Sequence, residues 1–296
     1  MDKRKVEKKG KINNGKSVLI TGASSGIGWA TANYLAQEGF TVFAGIRKEA
    51  DIEKIRGQNN HNLIPLYPLD MTEEEHIKKA YEFISIESEK RGEKGLYAIV
   101  NNAGGGIISP IELLDLGKLQ TELETRILGA VSLVKTFLSI IRENHGRILW
   151  IVTPALIPTP FVSSIHICDF AVNCLARTLR IELSPWEISV VMIRCGGIKT
   201  PAVEKSYKEL KESFKVLPHE KLMLYKDILE KEVKRLKSFD KGRTEPVEVA
   251  KKVYKALTVK KPKSRYRVGY MSGGSSFLEL LPQPFVDWLM TKRLKK

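Results

Sequence analysis

The sequence is poor in cysteine and histidine, with three cysteines and five histidines in 296 residues. Cys168, Cys174 and Cys195 form no Cys-x-x-Cys pair, and no histidine stands near them at the spacing of a zinc site. The sequence therefore predicts neither a disulfide framework nor a metal site. We expect the three thiols to be reduced.

Long apolar runs are also missing. No stretch is long enough to cross a bilayer as a helix, and the first sixteen residues are charged where a secretory signal needs an apolar segment. We therefore expect a cytoplasmic protein. Residues 1–15 are predicted to form a basic, flexible tail, and residues 16–296 a single domain.

Positive charge is abundant, with a formal net charge of +15. Much of the excess lies at the two ends of the chain, in MDKRKVEKKGKINNGK and TKRLKK, which are typical of solvated tails. No zinc finger or RNP-like strand accompanies these charges, and no aromatic residues alternate with them. Nucleic acid is therefore not an expected partner.

Short β-branched runs alternate six times with segments of helical periodicity, from KSVLIT at 16–21 to ISVVMIRCGG at 188–197. This alternation is typical of a parallel sheet covered by helices on both faces. The expected fold is α/β, a doubly wound parallel sheet of the Rossmann type. RYRVG at 265–269 predicts one further short strand.

The pattern changes at about residues 200–245, where a charged helical sequence carries no strand signal. Ligands of open parallel sheets lie beyond the carboxyl ends of the strands, so an insertion after the sixth strand is placed to cover a substrate. We interpret it as a helical lid or cap; the alternative is a solvated excursion that covers nothing.

An apolar stretch, FLELLPQPFVDWLM at 277–290, lies near the end of the chain. It could dip into a membrane surface. Its two prolines and mixed faces instead favour packing on the domain or on a second subunit.

The segment TGASSGIG at 21–28 follows a predicted strand and opens a predicted helix. In this context Gly22 permits a tight turn, Gly26 lets the backbone approach a pyrophosphate, and Gly28 lets the helix pack against the strand. The amides of the helix N-terminus would face the anion. The sequence therefore predicts a dinucleotide site.

The end of the second strand discriminates between the two nicotinamide dinucleotides. An acidic residue there accepts a ribose hydroxyl, and a basic one neutralises a 2′-phosphate. TVFAGIR ends in Arg47, and Lys48 follows it. The turn carries no carboxylate. NADP(H) is therefore favoured over NAD(H), unless both side chains simply face water.

TGASSGIG, AGIRKEAD, LD at 69–70, NNAG at 101–104, ELSPWEISV, CGGIKT and RYRVG follow one another along the chain. In this order they resemble the short-chain dehydrogenase/reductase family, in particular its branch of 17β-hydroxysteroid and retinol dehydrogenases. The likeness runs from about Lys16 to the C-terminal tail. Taken with the glycine turn, it implies a set of cofactor-binding residues: Gly22, Ser24, Ser25, Gly26, Ile27, Gly28, Arg47, Lys48, Asp70, Met71, Asn102, Ala103, Gly104, Ile198 and Thr200.

The same resemblance implies a catalytic set of Asn, Ser, Tyr and a Lys four residues after the Tyr. IHICDFAV aligns with the family's Tyr-x-x-x-Lys segment without a gap, which puts Ile165 at the tyrosine position and Asp169 at the lysine position. Arg126 takes the asparagine position, and either Thr153 or Val152 takes the serine position. The tetrad is therefore degenerate, and at most a threonine hydroxyl remains.

Two consequences concern the replaced positions. His166 titrates near neutrality, but it lies one residue past the tyrosine position, which turns its side chain by about 100° on a helix. We therefore favour a satisfied edge or interface histidine over a catalytic one. Because the asparagine and lysine positions lie close together in the family fold, we expect Arg126 and Asp169 to form an ion pair.

The expected function is that of an NADP(H)-binding pseudoenzyme, which senses cofactor or regulates an active relative. One alternative is an active oxidoreductase, isomerase or cyclase that uses another proton donor on a hydrophobic ligand. Another is an interaction protein with a vestigial nucleotide site. The resemblance also implies a homo-oligomer, or a hetero-oligomer with an active paralogue.

Overall fold

A computed structural model describes residues 15–216 and 219–295 of the chain. Seven strands form one parallel sheet in the order β3-β2-β1-β4-β5-β6-β7, which confirms the predicted α/β fold. The tail predicted for residues 1–15 lies outside the described residues except for Gly15. The strands are β1 (Ser17–Ile20), β2 (Thr41–Gly45), β3 (Leu63–Leu66), β4 (Leu96–Asn101), β5 (Arg147–Val152), β6 (Ser189–Cys195) and β7 (Arg265–Val268).

Helices connect the strands and cover the sheet on both sides. Two of them, α7 and α8, occupy the insertion between β6 and the last helix of the sheet layer. The helices are α1 (Gly26–Gln37), α2 (Ala50–Arg56), α3 (Glu74–Lys90), α4 (Leu116–Leu123), α5 (Gly129–Glu143), α6 (Ser163–Glu182), α7 (Pro201–Val216), α8 (His219–Asp240), α9 (Pro246–Thr258), α10 (Ser272–Leu278) and α11 (Gln283–Lys295).

The continuous apolar run of β1 is explained by burial on both faces of the sheet. Successive side chains of a strand point to opposite faces. Val18 and Ile20 join the hydrophobic cluster that includes residues of α1 and α9, whereas Leu19 joins the cluster that includes residues of α3, α5 and α6. All three are fully buried. A strand covered on one side only would have alternated apolar and polar residues.

The C-terminal segment packs on the domain through one side. Val286 of α11 is buried with Ala155 and Ile157, which belong to the loop that follows β5. This agrees with the predicted packing of the apolar stretch. Within the described residues, no helix combines the length and the hydropathy needed to cross a bilayer.

The Glu279 carboxylate also links this segment to the sheet. Glu279, just after α10, accepts a hydrogen bond from the backbone amide of Leu156 at 2.5 Å. Its two carboxylate oxygens also accept hydrogen bonds from Arg194 Nη1, at 2.5 and 2.7 Å. Arg194 is only 1% exposed, so its charge depends on this partner, on the Pro154 carbonyl and on Asn173. The C-terminal segment therefore holds the loop after β5 in place.

Replacing Glu279 by alanine should destabilise the protein by about 3 kcal/mol, because the buried Arg194 guanidinium loses its countercharge. The free energy of unfolding in urea measures this. Asp287→Ala, an exposed carboxylate on α11, is the matched control and should change it by less than about 0.5 kcal/mol. Equal effects of the two substitutions would contradict the anchoring role.

Candidate functional site

The glycine turn between β1 and α1 has the backbone geometry that the sequence predicted. Gly22 and Gly26 have φ angles of +66° and +55°, a region that L-residues with side chains rarely adopt. A Cβ added to Gly28 would lie 2.2 Å from the Gly22 carbonyl oxygen. Glycine at position 28 therefore lets the helix approach the turn closely.

Thr21 connects this turn to the end of β4, a role that the sequence analysis did not assign. Its Oγ1 accepts hydrogen bonds from the backbone amides of Asn102 at 3.0 Å and Ala103 at 2.9 Å. The Asn102 side-chain amide in turn donates to the carbonyl oxygens of Thr21 at 3.0 Å and Gly22 at 3.2 Å. The two motifs are thus locked together at the edge where the strand order reverses. The sequence feature that could have indicated this role is a threonine directly before the glycine motif.

The turn fits a pyrophosphate. Ser25 caps α1 without a hydrogen bond from its side chain, so α1 has no side-chain cap at its N-terminus. A Cβ on Gly26 would come within 3.3 Å of the Thr200 side chain, which places Thr200 beside the turn. Ile27 packs its side chain on the core, and the Ser24 carbonyl accepts a hydrogen bond from Lys54 Nζ at 2.6 Å.

The end of β2 presents two cations to solvent. The Arg47 side chain is 61% exposed and Lys48 is exposed as well. Arg47 Nη1 lies 3.9 Å from the Asp70 carboxylate, and Asp70 Oδ1 also accepts hydrogen bonds from the backbone and hydroxyl of Thr72. Arg47 and Asp70, both among the predicted cofactor-binding residues, therefore lie close together.

Two of the predicted cofactor residues have their side chains in the core. Met71 and Ile198 are each 4% exposed, so only their backbones could contact a ligand. The Ile198 carbonyl oxygen already accepts a hydrogen bond from Arg243 Nη1 at 3.0 Å. Arg243 follows α8, so the helical insertion is tied to the cofactor edge of the sheet.

Arg126 lies in a π-helical turn, Glu124–Leu128, between α4 and α5. Such turns are rare and frequently occur at functional sites. The Arg126 guanidinium forms a hydrogen-bonded ion pair with Asp169 on α6, and Arg126 Nη1 donates to the Ile165 carbonyl oxygen at 3.3 Å. The ion pair expected from the sequence is confirmed.

The pair is buried, and both carboxylate oxygens of Asp169 accept hydrogen bonds. The side chains of Arg126 and Asp169 are 11% and 0% exposed. Asp169 Oδ2 accepts a further hydrogen bond from the backbone amide of Thr153 at 3.0 Å. The four positions that correspond to the tetrad therefore lie together, as the resemblance implied; these are positions 126, 153, 165 and 169. They are connected by a salt bridge and by backbone hydrogen bonds.

The loop that follows β4 comes close to Arg126 and Ile165. A Cβ on Gly104 would lie 2.6 Å from Arg126 Cδ, and a Cβ on Gly106 would lie 2.3 Å from Ile165 Cδ1. The loop after β4 thus packs directly on both replaced residues. Of the two candidates for the serine position, Val152 is 7% exposed in the core, whereas Thr153 carries a hydroxyl.

No alternative acid is bonded to these positions among the described residues. His166 lies next to Ile165, and burial lowers the pKa of its imidazole, partly opposed by the nearby Asp169 carboxylate. Its buried Nδ1 has no hydrogen-bond partner among the described residues, so the expectation of a satisfied histidine is wrong. The Tyr207 hydroxyl, on α7, donates to Asp240, and burial together with this carboxylate raises the pKa of the phenol. The Tyr207 hydroxyl is thus engaged by Asp240, which is not one of the four tetrad positions.

The glycine turn, the sheet order and the position of Thr200 beside the turn define a Rossmann-type domain. A family model described as short chain dehydrogenase matches residues 16–211. The chain therefore belongs to the short-chain dehydrogenase family.

Two curated relatives align with about two thirds of this chain. Rat estradiol 17-beta-dehydrogenase 2 is 34% identical over 210 residues, which cover 67% of this chain and 54% of that protein. The 3-amino-tetrahydro-pyrrolizinone reductase of Xenorhabdus hominickii is 36% identical over 192 residues, with 64% of each covered. The aligned region thus spans between half and two thirds of these relatives.

Solved structures share the fold along most of the chain. A short-chain dehydrogenase of Burkholderia cenocepacia in complex with NADP has a TM-score of 0.71 and 18% identity, covering 94% of this chain and 98% of that one. A 3-ketoacyl-(acyl-carrier-protein) reductase of Brucella melitensis complexed with NADH has a TM-score of 0.67 and 21% identity, with 86% and 97% covered. Structural neighbours thus include complexes with either nucleotide.

We expect the Arg126–Asp169 pair to show strong coupling in a double-mutant cycle. Arg126→Met alone should cost about 3–5 kcal/mol, because it leaves a buried carboxylate unpaired. Asp169→Asn retains an acceptor for Thr153, and the double variant should lose at least about 1 kcal/mol less than the sum of the single changes. Urea unfolding provides the four free energies.

The exposed pair Lys199–Glu245, 55% and 60% exposed, supplies the control cycle. Its coupling should stay below about 1 kcal/mol. Additivity within about 0.5 kcal/mol at Arg126 and Asp169 would show that the two charges do not stabilise each other.

Proposed function

We propose that the chain binds NADP(H) and lacks the family's ordinary carbonyl–alcohol hydride transfer, so that it acts as a cofactor-sensing or regulatory pseudoenzyme. The observation that carries the proposal is the Arg126–Asp169 ion pair, buried where the resemblance places the asparagine and lysine, beside Ile165 at the tyrosine position. An intact glycine turn stands next to this altered centre.

Each part of the nucleotide has candidate partners. The turn at Gly22, Gly26 and Gly28, with the α1 N-terminus, would hold the pyrophosphate. Arg47 and Lys48 would hold the 2′-phosphate. The remaining predicted cofactor-binding residues would line the adenosine or the nicotinamide: Ser24, Ser25, Ile27, Asp70, Met71, Asn102, Ala103, Gly104, Ile198 and Thr200. When bound, NADPH supplies a hydride donor.

Proton supply is the missing half of a carbonyl reduction. Ile165 has no ionisable atom, and Asp169 is occupied by Arg126 and the Thr153 amide. General acid–base catalysis typically contributes about 10²- to 10⁴-fold to a rate. The loss of this contribution supports a slow or absent reaction with ordinary ketones.

A second candidate is an active NADP(H)-dependent oxidoreductase, isomerase or cyclase that acts on a hydrophobic compound. The Thr153 hydroxyl favours it, because it can position a substrate oxygen or a water, and so do relatives named as dehydrogenases and reductases. In that case the proton would come from water or from the substrate.

Self-association or pairing with an active paralogue fits the regulatory role. Phe170 and Ile181 of α6 are 43% and 74% exposed, and Leu128 before α5 is 64% exposed. Apolar side chains exposed on neighbouring elements are suited to a subunit contact. We propose this face for homo- or hetero-oligomerisation.

Titration with NADPH and NADH by intrinsic fluorescence tests the nucleotide assignment. NADPH should bind more tightly, and Arg47→Glu with Lys48→Glu should weaken NADPH by at least about tenfold while leaving NADH nearly unchanged, because charge-assisted contacts contribute about 1.5–3 kcal/mol each. Lys79→Glu, an exposed cation on α3, is the matched control. A preference for NADH, or no binding of either, would overturn this assignment.

Rebuilding the tetrad tests the loss of catalysis. A variant with Arg126→Asn, Thr153→Ser, Ile165→Tyr and Asp169→Lys should oxidise NADPH with ketosteroids, retinoids or medium-chain ketones at least about 100-fold faster than the parent. A second version carries Val152→Ser in place of Thr153→Ser. The loss of NADPH absorbance measures the rate.

The matched control replaces Ile165→Tyr in this set by Ile165→Phe, which supplies the ring without the hydroxyl. It should stay at the parent's rate, while NADPH binding verifies that each variant is folded. Turnover by the parent equal to that of the rebuilt variant would reject the pseudoenzyme assignment and favour the second candidate.

A further inference from the structure

One side of α11 exposes aromatic rings. Phe285 and Trp288 are 49% and 54% exposed, and their ring centroids lie 5.7 Å apart. Earlier in the same segment Phe277 and Leu280 are 62% and 79% exposed. Val286 packs on the domain, so packing of α11 does not cover these rings. Large exposed apolar surface of this kind marks an interaction site.

Trp288 also lines a groove of about 620 Å³ between α8 and α11. The volume falls within the range of ordinary ligand pockets. The groove combines apolar walls with cationic edges, and its lining residues are Ile228, Lys231, Glu232, Arg235, Trp288, Leu289, Lys292, Arg293 and Leu294. The exposed rings and the groove thus form one continuous face, here called the α8–α11 face.

The charges of this groove are strongly biased. Four cationic side chains line it against one carboxylate, Glu232, whose side chain is 7% exposed. Glu232 binds Arg235 at 2.8 Å from Nε and approaches Arg293 Nη2 at 3.7 Å, so it orients both guanidinium groups. Among the described residues Lys231 has no carboxylate partner, and the Lys292 ammonium lies 4.9 Å from the Trp288 ring centre.

We propose that the α8–α11 face docks on a bilayer surface that contains anionic lipids, with an acidic headgroup held in the groove. Aromatic rings partition into the interface, and long cationic side chains reach the headgroups above them. A second copy of this chain is disfavoured as the occupant, because a symmetric contact would bring its cations together. Aliphatic surface such as Leu280 has no complement on nucleic acid.

This inference differs from the sequence expectation, which favoured packing of the whole apolar stretch on protein. The structure satisfies that expectation with Val286 and leaves Phe285 and Trp288 uncovered. The proposal goes beyond the proposed function and is independent of nucleotide binding.

Co-sedimentation of the full chain with phosphatidylcholine vesicles, with and without phosphatidylserine, tests the docking. We expect binding to the phosphatidylserine vesicles and at least tenfold weaker binding to phosphatidylcholine alone. Lys231→Gln with Lys292→Gln should weaken binding by roughly 25-fold, since each interfacial cation contributes about fivefold. Phe285→Ala with Trp288→Ala should weaken it by at least about tenfold.

Matched controls remove the same groups from other parts of the surface. Lys118→Gln with Lys260→Gln, and Phe83→Ala on α3, should leave vesicle binding unchanged. NADPH affinity measured on every variant separates a folding defect or a failed nucleotide assignment from a failed docking.

Four results would overturn the proposal. These are no sedimentation with either vesicle, equal binding to both, equal losses in the control and face variants, and a self-association that Trp288→Ala abolishes in the absence of vesicle binding. The last would assign the face to a second copy of the chain.

Discussion

The altered centre depends on one buried carboxylate. Asp169 is removed from water on α6, and a carboxylate in that position must be compensated by a countercharge and hydrogen bonds. Arg126 supplies the charge and the Thr153 amide supplies a hydrogen bond. Since Arg126 also binds the Ile165 carbonyl, the pair joins the π-helical turn, the end of β5 and the start of α6. The ion pair therefore connects these three elements to one another.

The sequence predicts those parts of the fold and site that depend on local pattern or on a motif. The alternation of strands and helices and the glycine turn between β1 and α1 are of this kind. The Arg126–Asp169 pair was predictable because the resemblance places both residues at positions that lie close together in the family fold.

Other features follow from tertiary contacts that carry no local signal. The Thr21 hydroxyl accepts hydrogen bonds from the backbone amides of two residues that lie 81 and 82 positions later in the sequence. Glu279 reaches Arg194 and the loop after β5 from 85 and 123 residues away. Likewise, helical periodicity in the segment 111–143 does not reveal the π-helical turn that divides it. The exposure of Phe285 and Trp288 depends on which side of α11 Val286 turns toward the domain.

The ion pair also bears on how such a centre changes over evolutionary time. A lysine at position 169 alone would stand against Arg126 in a buried site, and an asparagine at position 126 alone would strand the Asp169 charge. Each of these single changes is therefore expected to be less stable than the existing pair. Because neither single substitution keeps the buried charge compensated, an exchange of this ion pair for other residues requires both positions to change together.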